Sequence, residues 1–215
     1  MIRSAKGVVG MRARVTVTAA VAAVLLLSAG LIRLGADAPA VPFTMRAFAV
    51  NMTNVSAPRG NAGIMQIRIT GWSPTATRQR FIDTFLAKGQ DALLSMMQKE
   101  RSKGRISMPN WQGPDPQNYR LGWDLRYAAH DTLDDGAERI VIATDRQMSM
   151  WEVRNRPRSY DYPFTLIEIR LPKEGKGEGR MFGATQIQFD KKKNQIVLEQ
   201  YSAGEVRLNE ITIDK

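Results

Sequence analysis

The stretch "GWDLRYAAHDTLDDGAERIVIAT", residues 122–144, decides the fold because it holds two strand patterns around one tight turn. In its first half Trp123, Leu125 and Tyr127 alternate with Asp124 and Arg126, which is the period of a half-buried strand. The pair "DG" inside "DTLDDG" accepts the positive φ that a tight hairpin turn requires. The sequence therefore predicts a β-hairpin. The same alternation places Ala129 inward and the single histidine, His130, on the solvated face.

Further strand patterns surround this hairpin. Those that follow it recur at intervals of about ten residues, as in an antiparallel meander or barrel. Before the hairpin they are "FTMRAFAVNM", "GIMQIRITGW" and "RISMP", and after it "MSMWEV", "FTLIEIRL", "MFGATQIQF", "QIVLEQY" and "EVRLNEITI".

One segment has helical spacing instead. Ser73 and Pro74 precede apolar residues that recur near a period of 3.6, so we expect Ser73 to cap a helix and Pro74 to occupy its first turn. Gly89 should divide the segment into two helices.

This order of elements predicts an α+β fold that is predominantly antiparallel β. We expect about nine strands in a curved sheet, sandwich or barrel-like, with one helical pair inserted after the second strand. Residues 39–215 should form a single β-rich globular domain.

Residues 1–38 resemble a secretory leader, because four basic residues precede the apolar run 15–34. We therefore expect an exported protein, periplasmic or extracellular. The run is also nearly long enough to remain as a membrane anchor. Without residues 1–40, which hold five of the 31 basic and one of the 21 acidic residues, the formal charge falls from +10 to +6. Export makes nucleic acid an unexpected partner, and membrane contact is expected only through an uncleaved leader.

The chain has no cysteine, which excludes disulfides, thiol nucleophiles and cysteine zinc sites. The carboxylates of "DTLDDG" lack the spaced acidic ladder of a calcium loop and are interpreted as part of a turn. We predict neither a metal nor a cofactor.

The candidate binding segment is a loop rich in arginine and aromatic residues between "MSMWEV" and "FTLIEIRL". Arginine forks beside flat rings bind anions and sugar faces, so an anionic or carbohydrate-like ligand is expected. The other interpretation is that these arginines fasten the loop to Asp145 and Asp161. We also expect Glu168 and Arg170, on one strand face, to pair with each other or to contact the ligand. The candidate ligand-binding residues are Trp151, Arg154, Arg156, Arg158, Tyr160, Tyr162, Glu168 and Arg170.

Over its last hundred residues the chain resembles an uncharacterised family of small exported bacterial proteins without an assigned activity. The segments that carry this resemblance are "GWDLRYA", "RIVIATDR", "WEVRNRPRSYDYPFTLIEIRL", "GEGRM", "ATQIQFD" and "IVLEQYSAGEVRLNEI". The resemblance implies a bacterial envelope or extracellular setting and assigns no site residue.

Three function classes remain open. The first is a non-enzymatic exported binding or envelope-associated protein, and the residues predict no catalytic site. The second is a carboxylate-based hydrolase, which needs His130 to converge with Glu152 or Glu168 in one cleft. The third is a soluble subunit of an envelope complex that docks through strand edges.

Export should leave a mature chain that begins between Leu31 and Val41, because the small residues there suit leader cleavage. Intact-mass measurement of protein recovered from the envelope checks this expectation. A mass that retains residues 1–34 would refute cleavage and support a membrane anchor.

Overall fold

A computed structural model describes residues 39–52, 62–108, 122–148, 161–190, 195–200 and 206–214 of the protein. Within these ranges lie two helices, α1 (Thr75–Lys88) and α2 (Gln90–Lys99). The strands of the same ranges are β1 (Phe43–Asn51), β2 (Ala62–Ile69), β3 (Gly104–Ser107), β4 (Gly122–Thr132), β5 (Glu138–Thr144), β6 (Phe164–Leu171), β7 (Gly177–Asp190), β8 (Gln195–Gln200) and β9 (Val206–Asp214). The predicted α+β class and the helical pair after the second strand are confirmed.

Eight of these strands close into an antiparallel barrel, in the order β1, β2, β3, β4, β5, β6, β7, β9 and back to β1. Strand β7 completes the closure because it pairs with β6 on one edge and with β9 on the other. The C-terminal half of β7 extends further and pairs with β8. Closure gives these strands a neighbour on each side, which satisfies backbone groups that an open sheet leaves unpaired.

The barrel interior is filled by apolar side chains from alternate strand positions. In β2, for example, Met65, Ile67 and Ile69 are completely buried while the residues between them face outward. The other strands add Met45, Ile106, Leu125, Ile140, Ile142, Ile167, Ile169 and Leu208, among others.

The two helices cover part of the outer wall. Phe81 and Phe85 of α1 and Leu93 of α2 belong to a second apolar cluster with the outward side chains of β4 to β8. Strand β5 is consequently buried on both faces, which explains why its sequence "IVIA" does not alternate with polar residues.

The register of β4 shifts once, and this shift overturns part of the sequence prediction. Leu125 lies opposite Thr144, but Tyr127 lies opposite Ala143, so two steps along β4 match one step along β5. Such a bulge reverses the facing of every later residue. Tyr127 and Ala129 therefore point outward to the helix side, and His130 points inward with a side chain only 7% exposed. The expected inward Tyr127 and Ala129 and the expected solvated His130 were wrong.

The start of α1 also differs from the prediction. Pro74 occupies the N-cap position, and the cap makes no side-chain hydrogen bond. Ser73 instead fastens the chain to β4: its N–H donates to the Ala128 carbonyl (2.7 Å), and its Oγ accepts from the Ala128 N–H (3.1 Å). The division at Gly89, where φ is +79°, is confirmed.

The turn "DTLDDG" has the predicted geometry. Gly136 adopts a φ of +77°, which favours glycine. The Asp135 carboxylate accepts from the Ala137 N–H (3.0 Å), a bond that lowers the pKa of Asp135, and it also contacts Arg170. The Asp131 carboxylate binds Arg139 across the hairpin at 2.7 Å.

Two predicted segments lie outside the described residues: the leader, 1–38, and the strand "MSMWEV" apart from Met148, which is not in a strand. Neither α1 nor α2 is long and apolar enough to cross a bilayer.

Truncation of Trp123 to alanine should lower the free energy of unfolding by about 3–5 kcal/mol, because Trp123 is 5% exposed inside the barrel. Asp124→Ala should cost roughly 0.5 kcal/mol, since the Asp124 side chain is 43% exposed. Urea unfolding of both variants measures the difference. Equal losses would contradict the assigned strand faces.

Candidate functional site

An apolar pocket lies between the helical pair and the outer wall of the barrel, and we call it the wall pocket. Its volume is about 50 Å³. The helices contribute Arg78, Phe81, Leu93 and Met97 to its lining. The strands contribute Tyr127, Ala143, Phe164, Leu166 and Ile187.

The pocket exists because a small residue lies between two large ones. Tyr127, Ala143 and Leu166 are direct neighbours across β4, β5 and β6, and all three face the helices. The Ala143 methyl group is too small to fill the space between the strand and the helices that the side chains of Tyr127 and Leu166 fill on either side. The floor of the pocket is therefore set by Ala143 and by the register that aligns these three residues.

Two of the lining residues, Tyr127 and Arg78, also carry a polar group. Burial raises the pKa of the Tyr127 hydroxyl above its ordinary value, while the positive charge of Arg78 opposes the rise. The Tyr127 hydroxyl is therefore neutral at neutral pH. The Tyr127 ring packs against Phe81, with ring centroids 6.1 Å apart. Among the described lining residues, Arg78 alone is charged. The pocket surface is thus almost entirely apolar, and one cationic residue is among those that border it.

A single glutamine fixes α2 against the sheet beside the pocket. The Gln90 Oε1 atom accepts a hydrogen bond from the N–H of Ile187 (2.7 Å), a lining residue. The Gln90 Nε2 atom donates to the Asp161 carbonyl at 3.4 Å. The last part of the predicted binding loop is therefore tied to the same helix that lines the pocket.

The sequence-predicted site is only partly visible. Trp151, Arg154, Arg156, Arg158 and Tyr160 lie outside the described residues.

Of the three described candidates, Tyr162 precedes the lining residue Phe164 by two positions, so the chain returns from the predicted loop at the pocket. Arg170 lies near the far end of β6, about 26 Å from Tyr162 at 3.3 Å per residue. Glu168, between them, faces Arg180 across the sheet. The expected pairing of Glu168 with Arg170 is not observed, because Arg170 contacts Asp135. Tyr162 and Arg170 therefore do not form one compact site.

The chain that leads into the predicted loop is also fixed. The N–H of Met148 donates to the Gly183 carbonyl (2.7 Å) and to the buried Thr165 hydroxyl (2.8 Å). Asp145, one of the carboxylates considered as a tie for the loop arginines, lies 3.2 Å from the Nε atom of Arg126. This carboxylate already has a partner in the barrel wall.

His130 belongs to a partly buried cluster with Trp72, Glu138 and Thr132, and this cluster does not have a catalytic arrangement. The His130 Nε2 atom contacts the Glu138 carboxylate, and the Trp72 ring packs against the imidazole at a tilt, with ring centroids 5.6 Å apart. The Thr132 hydroxyl is 3.3 Å from the same carboxylate. A nucleophile relay requires the imidazole between hydroxyl and carboxylate, but here the carboxylate lies between the other two. The geometry is that of a structural pair.

The hydrolase alternative required His130 to converge with Glu152 or Glu168. His130 lies opposite Ile140 and shares its inward face, whereas Glu168 lies opposite Val141 on the outward face. The barrel wall separates the two side chains. Glu152 lies outside the described residues.

No cluster of three or more potential metal ligands occurs in the part of the chain that the structure describes. No protein-family model matches the chain, and neither a curated protein nor a solved structure matches it. The case for the wall pocket therefore depends on its own geometry. The sequence did not reveal the wall pocket, because its only signal is one alanine, Ala143, in an apolar strand. That alanine borders a pocket only because the register of β4 places Tyr127 opposite it.

Ala143→Leu should leave stability unchanged or raise it by about 1 kcal/mol, because the added carbons enter the pocket. Ala128→Leu is the matched control, since Ala128 faces the filled interior and is completely buried. It should lose about 1–3 kcal/mol through overpacking. Thermal unfolding compares the two, and an equal loss in both would mean that no usable space adjoins Ala143.

Proposed function

We propose that this protein is a non-enzymatic, exported binding protein whose ligand is a small anionic amphiphile. The apolar end of the ligand occupies the wall pocket, and its anionic group faces Arg78. The observation that carries the proposal is the wall pocket itself, an apolar hollow with one cation among its described lining residues. Concave, mostly apolar sites with few polar groups are the usual form of small-molecule sites.

The size of the pocket restricts the ligand. A volume of about 50 Å³ holds about three or four groups the size of a water molecule. The pocket therefore accommodates a short aliphatic group or the end of a longer chain. A whole lipid does not fit within the described walls.

The lining favours an aliphatic chain over a sugar. A sugar ring requires several hydrogen-bonding groups, and the surface of the wall pocket is almost entirely apolar. A carboxylate or phosphate, in contrast, forms paired hydrogen bonds with a single guanidinium. The carbohydrate-like ligand remains a prediction for residues 151–162 alone.

Export supports a binding role in the bacterial envelope or outside the cell. The basic and apolar pattern of residues 1–38 favours export. Periplasmic or extracellular localisation belongs to the proposal, as does the likeness to exported bacterial proteins.

Binding of straight-chain carboxylates from acetate to octanoate, measured by NMR titration, tests the function. Each methylene that enters the pocket is worth about 0.8 kcal/mol, so Kd should fall about fourfold per carbon. The fall should stop after about three or four carbons, when the pocket is full. A Kd that does not depend on chain length would refute the proposal.

Two variants locate the ligand. Ala143→Leu should abolish the dependence on chain length, whereas Ala129→Leu, which changes an outward alanine that does not line the pocket, should keep it. Arg78→Gln should weaken hexanoate but not 1-hexanol, because only the acid carries a charge. If Ala143→Leu and Ala129→Leu behave alike, the ligand binds elsewhere.

A further inference from the structure

The helices leave one side of the barrel uncovered. We call this side the arginine face and define it by the outward side chains of four neighbouring strands, β3, β2, β1 and β9. Its central members are Arg46, Phe48, Ile64, Arg68, Arg105 and Arg207, all of them exposed. It lies away from the wall pocket, whose strand residues come from β4 to β7.

Like charges oppose each other directly on this face and at its border with β7. Arg68 of β2 lies opposite Arg105 of β3. Arg207 of β9 lies opposite Arg180 of β7 in the same way. Directly opposed like charges destabilise a sheet. Such an arrangement becomes favourable when an anionic partner lies across the pairs.

The four strands of the arginine face carry more arginines than acidic residues. Strands β1, β2, β3 and β9 carry four arginines against Glu210 and Asp214. The Asp214 carboxylate binds Arg46 at 2.7 Å, and Glu210 binds Lys176 at 3.1 Å. Arg105 contacts Asp124 of the neighbouring strand β4 at 3.9 Å. The face therefore retains net positive charge.

An apolar pair lies among the arginines. Phe48 and Ile64 are directly opposite each other on β1 and β2, with exposures of 46% and 38%. A dissolved polyanion would satisfy the arginines but leave this pair in water. An anionic lipid surface satisfies both, since headgroup phosphates meet arginine and the acyl boundary accepts aromatic and aliphatic side chains.

We infer that the arginine face docks onto an anionic lipid surface. This inference extends the expected membrane contact, which involved only an uncleaved leader, and it is independent of the wall pocket.

The absence of cysteine allows a direct test in the full chain. An environment-sensitive fluorophore is attached to Phe48→Cys and, as the control, to Leu86→Cys, which replaces an equally exposed apolar residue on α1. Each labelled protein is titrated with phosphatidylcholine vesicles, with or without phosphatidylglycerol, and with dextran sulfate. The probe at position 48 should enter an apolar environment only on the anionic vesicles, and the probe at 86 should not respond.

Two further variants separate the face from overall charge. Arg68→Gln combined with Arg207→Gln should raise the lipid concentration for half-maximal response about thirtyfold. Lys88→Gln combined with Lys99→Gln removes the same charge from exposed helix positions and should change it little. Equal effects of the two pairs, equal responses at positions 48 and 86, or a response at 48 to dextran sulfate would each overturn the inference.

Discussion

The one-residue bulge in β4 is the constraint on which the rest of the structure depends. Arg126, the extra residue, is held at the wall by the Asp145 carboxylate (3.2 Å) and by the Glu100 carbonyl, which accepts from its Nη1 atom (3.0 Å). These contacts join the bulge to the end of α2 and to the chain after β5. Because the bulge turns Tyr127 toward the helices and His130 toward the interior, it creates one wall of the pocket and buries the only histidine.

The bulge in β4 also explains how the helical pair is placed against the outer wall of the barrel. Strand β3 pairs with β4 only as far as Leu125, so the next part of that β4 edge needs another partner. The two hydrogen bonds between Ser73 and Ala128 supply it. Helix α1 therefore begins beside the bulge, and its Phe81 ring packs against Tyr127. The placement of the helical pair, the wall pocket and the register of the later β4 residues all follow from the single bulge at Arg126.

Much of the fold could be predicted from the sequence, because alternation and turn chemistry are local. They identified the buried Trp123 and Leu125, the turn at Gly136 and the helix division at Gly89. They failed after Arg126, since a bulge leaves no mark in a period of two. The pairing of Ser73 with Ala128, and of Arg170 with Asp135 in place of Glu168, depends on residues distant in sequence. The wall pocket and the arginine face could not be predicted for the same reason. Both depend on which residues are paired between neighbouring strands of the barrel.

A nuclear Overhauser spectrum of the methyl- and aromatic-labelled protein tests the β4 bulge most directly. The account predicts contacts between the Tyr127 and Phe81 rings, whose centroids are 6.1 Å apart, and between the Ala128 methyl group and interior residues such as Ile142. A strictly alternating β4 predicts the reverse. Contacts of the Tyr127 ring with Ile142 and of the Ala128 methyl with Phe81 would contradict the account.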